Sequence, residues 1–300
     1  MPGKGETMDL QGFDQVTRWP CGSLLQHGPA NDRVYLMEVG AQASSDLPLH
    51  LIEFAKARNY GKIFSKLRRS QTNAFLQAGF SQEAAIPGLF QGKESGHFLS
   101  IFLHQERRWD ALDRDNQERL ALAQKQTPKP MGPLPRDFAL RRCLPSDLSA
   151  MAELYRCVFP TYPFPIQDEG FLRETMKAHV RYFGVFSANR LLALASAECS
   201  EGGAHAEMTD FATYPEARGQ GLALHLLTAM EESLKGSGYV TAFTIARAPS
   251  AGMNITFARA GYFYGGTLVN NTQISGRIES MNVWYKPLRT TSDALVAEGS

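Results

Sequence analysis

The residues Arg218-Gly219-Gln220-Gly221-Leu222-Ala223 stand between a strand-like run, Ala206 to Thr213, and a helix-like run, Leu222 to Leu234. Two glycines and no bulky side chain at that junction leave backbone N–H groups pointing outward at a helix N-terminus. Such a helix entry suits an anion, a phosphate above all. Arg218 adds a positive charge beside it. The strand feeding the loop carries two carboxylates, Glu207 and Asp210, and Glu207 lies eleven positions before Arg218. Strand alternation predicts Glu207, Thr209, Phe211 and Thr213 on one face and Asp210 on the other. A carboxylate beside an anion site can accept a proton, directly or through water, or it can hold an ammonium group. A carboxylate that is merely on a strand surface does neither.

The whole chain bounds what such a site can serve. Three hundred residues are a prior for about two domains. A hydrophobic fraction of 43% supplies enough apolar material for packed cores. With 31 basic and 30 acidic residues the net charge is +1, which is no footprint of a nucleic-acid binder. The first residues, Met1 to Thr7, lack the apolar stretch of a secretory signal. No run approaches the roughly 18 apolar residues of a membrane span. The cysteines, Cys21, Cys143, Cys157 and Cys199, are scattered without a CxxC pair. A reducing cytoplasm and no metal site are therefore expected.

A break is predicted between residues 105 and 136. Gln105 to Gln126 is highly charged, with Trp109, Leu112, Leu120 and Leu122 at near-helical spacing, so it reads as a helix. A proline-rich linker follows, Thr127 to Pro135. An N-terminal α/β domain (1–105) thus precedes a helix plus linker (106–136) and a second domain (137–289). Residues 290–300 read as a disordered tail. In the second domain strands are predicted over 138–144, 180–186, 191–198, 206–213, 240–246, 262–269 and 280–286. Helices are predicted after Asp147, over 169–178, from Leu222, and over 250–260. The N-terminal domain echoes this C-terminal half. Leu47 to Ile52 resembles Leu222 to Leu227, Lys62 to Ser65 takes the place of Ala242 to Ile245, and Asn73 to Phe80 matches Asn254 to Tyr262.

The pattern Arg-x-x-Gly-x-Ala in its strand–turn–helix setting resembles the pyrophosphate loop of the GNAT family of acyl-CoA-dependent N-acetyltransferases. The resemblance covers the second domain. It implies an α/β (α+β) GNAT fold, a mixed, mostly antiparallel twisted sheet flanked by helices, with acetyl-CoA as cosubstrate. The N-terminal repeat then reads as a degenerate GNAT-like half, without the loop. The amides from Gly219 to Ala223 and the Arg218 side chain are implied to hold the pyrophosphate. The edge of Phe211-Ala212-Thr213 is implied to pair with the pantetheine arm, with Ser250 or Asn254 as further contacts. Glu207 becomes the candidate general base or ammonium anchor, with Asp210 in reserve. The sequence departs from the family at Phe257, where many members carry a proton-donating tyrosine, so the general acid is unassigned. The loop from Phe159 to Ile166 is where this fold selects its acceptor, and Tyr162 and Phe164 are its candidate wall.

A narrower resemblance spans nearly the whole chain. Met208 to Thr213, Thr244 to Ala248, Gly265 to Thr272, Glu279 to Lys286 and Asn31 to Met37 look like the β-lysine N-acetyltransferases. That branch implies transfer of acetyl to the N6 amine of β-lysine (3,6-diaminohexanoate), giving a compatible solute. Such a substrate needs a cation for its carboxylate, for which Arg247 is the candidate. Its β-ammonium needs acidic or amide partners, for which Asp210, Glu279, Asn270 and Asn271 are candidates. Another small amine, a protein amine, and non-catalytic acyl-CoA sensing stay open as alternatives. The expected partner is a small-molecule amine, with no nucleic acid or membrane; the oligomeric state, homodimer included, is left open.

Overall fold

The computed structural model describes residues 14–128 and 131–289. The predicted tail, 290–300, lies outside them. The N-terminal part runs through β1 (Gln15–Arg18), β2 (Leu24–Gly28), β3 (Arg33–Glu38), α1 (Leu47–Lys56), β4 (Lys62–Arg68), α2 (Thr72–Gln77), β5 (Ser81–Phe90) and β6 (Glu94–Phe102). Helix α3 (Asp113–Gln124) leads into β7 (Phe138–Arg142), α4 (Leu148–Val158), α5 (Glu169–Ala178), β8 (Val180–Ser187) and β9 (Arg190–Ser200). The chain continues through β10 (His205–Thr213), α6 (Leu222–Gly236), β11 (Thr241–Arg247), α7 (Ala251–Arg259), β12 (Phe263–Ile274) and β13 (Arg277–Pro287).

One sheet of 13 strands joins both parts, in the order β1-β2-β3-β4-β6-β5-β12-β13-β11-β10-β9-β8-β7. It is mixed and mostly antiparallel. Its parallel pairs are β3 with β4 and β10 with β11. Parallel neighbours need a long crossover, and α1 and α6 supply it. The order and senses of β1-β2-β3-β4-β6-β5 recur in β8-β9-β10-β11-β13-β12. The two runs meet where Gly266 of β12 pairs with Ala84 of β5. Gly266 has φ +138, and a Cβ there would collide with the backbone of Glu83 and Ala84. Glycine is what lets the two strands close the sheet.

Three local expectations change. The segment from Gln105 is a 3-10 turn, Gln105–Arg108, followed by the shorter α3. Trp109 is 80% exposed and outside the helix; Leu120 and Ala123 hold α3 to the core instead. Strand β12 continues past Val269 to Ile274 through a bulge at Asn270, which has φ +43. The polar Asn271 and Thr272 remain in the strand because buried Arg33 of β3 donates to the Asn271 carbonyl and, at 3.0 Å, to Thr272 Oγ1. Strands β1 and β2 extend the sheet beyond any run predicted from alternation.

Packing divides the faces of the sheet. Ala206 and Met208 of β10, Ala242 and Ala246 of β11 and Trp284 of β13 pack against α6 and α7. The opposite face of β8 and β9 is covered by α4 and α5 through Leu154, Tyr155 and Leu172. The opposite face of β11 and β13 is covered by the N-terminal strands, through Phe64, Phe98, Phe243, Met281 and Val283. Burying each such phenylalanine contributes about 1.5–3 kcal/mol. Between these two covers β9 and β10 carry a partly accessible strip, Glu198, Glu207 and Thr209. The fold thus leaves a bay over one stretch of sheet, with acidic groups on its floor.

Candidate active site

The glycine loop forms as the sequence predicts. Gly219 and Gly221 have φ +79 and +72, and a Cβ at either would meet nothing within 4 Å. Gly221 caps α6 in the left-handed conformation without a side-chain cap bond. No amide from Gly219 to Ala223 donates to a backbone acceptor among the described residues. Five donors aimed outward at a helix N-terminus fit a pyrophosphate. Arg218 ties the loop to β10 through Nε to the Thr213 carbonyl at 3.2 Å.

Above the loop the sheet splits. Strands β10 and β11 pair only from His205↔Thr241 to Glu207↔Phe243 and then diverge. Beyond the split, β10 stays paired to β9 but carries one extra residue between Thr209 and Ala212. Asp210 sits in this bulge with φ +56. The split exposes the β10 edge at Phe211 to Thr213, where an amide-bearing arm can add as a strand does. A cleft of about 800 Å³ runs through it, from Arg218, Gly219 and Gly221 past Phe211 and Ser250 to Tyr162, Asp210 and Arg247.

The bulge overturns the alternation predicted for β10. Glu207 and Thr209 share a face, as predicted, the one away from α6, but the extra residue brings Asp210 to the same face. There Asp210 accepts hydrogen bonds from Tyr162 Oη, Ser196 Oγ and Thr209 Oγ1. Phe211 turns to the opposite face and meets Phe257 edge-on at 5.6 Å. One inserted residue shifts the phase of a period-two strand, so every side chain after it changes face.

Three carboxylates therefore share this face of the sheet: Asp210 lines the cleft, and Glu207 and Glu198 lie beside it, one step back along β10 and β9. Glu198 of β9 is the register partner of Glu207. Burial first, then the negative charge of Glu198, push Glu207 up to about 8. Burial also works against the charge of Glu198, but the nearby His179 imidazole and the Lys66 charge outweigh it and hold Glu198 below the usual range. Burial raises Asp210 despite its hydroxyl partners. These environments separate the three groups. Asp210 is engaged by three hydroxyls, Glu198 lies 3.6 Å from His179, and Glu207 is the carboxylate poised to exchange a proton near neutral pH.

Other predicted residues fall in varied places. Tyr162 and Ser250 line the cleft, whereas Phe164 stacks on Phe171 beside α5. Asn254 is buried and its amide is committed. Nδ2 donates to the carbonyls of Arg247 and Ser250, and Oδ1 accepts from Asn282 Nδ2 and Trp284 Nε1. It fastens α7 to β11 and β13 and has nothing left for a pantetheine. Arg247 lines the cleft, but its guanidinium is held bidentately by buried Glu279 at 2.8 and 3.0 Å. Arg277 takes Glu279 as well, so the two predicted substrate residues engage each other. Asn270 is not brought to the cleft: its Nδ2 binds the carbonyls of Arg107 and Trp109. Phe257 is a buried packing residue against Phe211 and Tyr262. The sequence reading missed Ser196, Glu198, Tyr35 and Lys66, which no spacing along the chain joins to Glu207.

Residues 148–262 match the Acetyltransferase (GNAT) family. The chain is 33% identical over 264 residues to a β-lysine N(6)-acetyltransferase of Methanococcus maripaludis, covering 88% of this chain and 96% of that protein. A second β-lysine N(6)-acetyltransferase, from Methanosarcina mazei, is 33% identical over 70% of this chain and 85% of its own. The N-acetyltransferase YodP of Bacillus subtilis is 31% identical over 89% of this chain and 96% of its own. A split sheet with a bulged strand and a loop of free amides defines an acyl-CoA-dependent N-acetyltransferase. This chain belongs to the GNAT acetyltransferase family and uses acetyl-CoA as cosubstrate.

Proposed function

We propose that the protein transfers acetyl from acetyl-CoA to the N6 amine of β-lysine, in the cytoplasm, yielding Nε-acetyl-β-lysine as a compatible solute. The observation that carries this reading is the bay itself. Glu198 and Glu207 sit side by side where the split between β10 and β11 opens, which suits an acceptor with two amino groups. Similarity to the two β-lysine enzymes over both halves of the chain supports the same substrate.

Glu207 serves as the base. The incoming amine is an ammonium with an ordinary value of about 10.4 and must lose a proton before it attacks. A carboxylate near 8 beside a second carboxylate attracts that ammonium and then takes its proton. Asp210 is the poorer base, because three hydroxyls occupy its lone pairs. Its work is to fix the bulge. A backbone N–H of the β10 stretch at Phe211 and Ala212, on the edge that β11 leaves open, can hold the charge that develops on the thioester oxygen. The amides of Gly219 to Ala223 hold the pyrophosphate. The N-terminal half, with its repeated strand order, is a degenerate GNAT-like half that keeps the sheet and has lost the loop.

Acetylation of β-lysine, α-lysine and plain diamines, followed by CoA release, tests the reading. β-Lysine is expected to give the highest kcat/KM. Turnover of another amine with none of β-lysine would overturn the substrate, and no CoA release with any amine would favour an acyl-CoA sensor.

A further inference from the structure

The N-terminal sheet turns four cations toward the C-terminal half or its edge: Arg33 of β3, and Lys62, Lys66 and Arg68 of β4. Three have partners. Arg33 binds Gln26, the Asn271 carbonyl and Thr272; Lys62 binds Glu83 at 2.7 Å; Arg68 binds Glu94 at 3.0 Å. Lys66 has no hydrogen bond and no ion pair within 4 Å among the described residues. Its ammonium instead stands over the ring of Phe243, 5.7 Å from the centroid. Phe243 is the register partner of Glu207, and Glu207 is the register partner of Glu198. In a parallel pair, registered residues share a face, so Lys66 hangs over the same bay from the opposite wall. Tyr35, stacked on Phe64 at 4.5 Å, flanks it.

Lys66 is half-buried, and a cation so placed is better satisfied with a carboxylate within hydrogen-bond reach. Lys66 has a π face beneath it and two carboxylates across the bay. That arrangement is complete once a zwitterion lies between the walls, its ammonium toward Glu198 and Glu207 and its carboxylate toward Lys66.

We infer that Lys66 binds the carboxylate of the amino-acid acceptor, so that the N-terminal half selects carboxylated diamines over plain ones. This rests on the acceptor proposed above, and it replaces Arg247, which Glu279 already holds, as the carboxylate partner. The reacting amine lies at Glu207 on the side of the split, and the chain of the substrate spans the bay to β4. No covalent step is added to the transfer.

The test compares β-lysine with its carboxamide and with 1,4-diaminopentane, which lacks the carboxylate. The wild-type enzyme is expected to prefer β-lysine over both by about tenfold or more in KM, the worth of one charge-assisted contact. In Lys66→Met that preference disappears: KM for β-lysine rises relative to those for its carboxamide and 1,4-diaminopentane, beyond the change common to all three that follows from losing a charge beside Glu198. Lys66→Arg is expected to restore most of it. An equal loss on all three amines, or an unchanged preference in Lys66→Met, would overturn the inference. If Lys66→Met does not fold, the wild-type comparison still decides: no discrimination between β-lysine and its carboxamide rules Lys66 out. Failure of the underlying reading looks different, because wild-type enzyme would then turn over plain diamines and no carboxylated one.

Discussion

Glu207 and Asp210 stand three positions apart, yet the fold gives them separate work. Asp210 is locked by Tyr162, Ser196 and Thr209, while Glu207 faces Glu198 and is pushed up to about 8 by burial and that charge. The sign of the pH dependence follows. A base that must be ionised gains activity as pH rises through its value, so log kcat/KM should climb toward about 8 and flatten above it. Only without that base must the amine lose its proton to solvent first, which gives a rise nearer its own value of about 10.4. Glu207→Gln should replace the rise toward 8 with the free amine's later one and lower kcat/KM by about a hundredfold to ten-thousandfold. A pH–rate profile of the variant that still bends near 8 would assign the base elsewhere. The sequence named Glu207 from its distance to the loop. It could not name Glu198, because that pairing depends on the register of β9 against β10.

At the scale of elements, the site is an interruption of regular structure. Strand β10 is paired on both edges until Glu207, then is bulged on one side and open on the other. The loop that follows needs left-handed backbone at Gly219 and Gly221, which costs any other L-residue about 1–2 kcal/mol. Gly221→Ala should therefore lower the melting temperature slightly and raise KM for acetyl-CoA about tenfold, through displaced helix-entry amides. KM for the amine should stay within about twofold, since the bay lies beyond the split. Initial rates with each substrate varied in turn would show this; a change confined to the amine would place the loop at the wrong substrate. The loop was legible because its cause is local: glycines, a strand before and a helix after. The phase of β10 was not, since a bulge leaves no mark on composition.

Over the whole molecule, the two halves share one sheet, joined at Gly266 and fastened by polar groups buried between them. Lys62 Nζ donates to Glu83 Oε2 and to the Val269 carbonyl at 2.7 Å each, and the Val269 amide donates back to Glu83 Oε1 at 2.8 Å. Burial pulls Lys62 down to about 8 against the upward pull of Glu83. Removing one partner strands the other, so Lys62→Met should lower the unfolding free energy by about 3–5 kcal/mol in urea titrations. The double variant Lys62→Met/Glu83→Gln should recover most of that loss, because glutamine still accepts from the Val269 amide and carries no charge. Equal destabilisation in the single and double variants would mean that the pair does not act as a unit. What the sequence determined by itself has a short-range cause: the anion loop, the helix and strand that frame it, and the carboxylates on that strand. What only the tertiary structure decided is which groups meet. Arg247 and Glu279 neutralise each other, Asn254 and Asn270 are spent on packing, and Lys66 reaches the bay from more than a hundred residues away in the chain. Contacts of that kind depend on register, a bulge and the closure of one half of the sheet over the other, and those arise from packing between distant segments rather than from the spacing within any one.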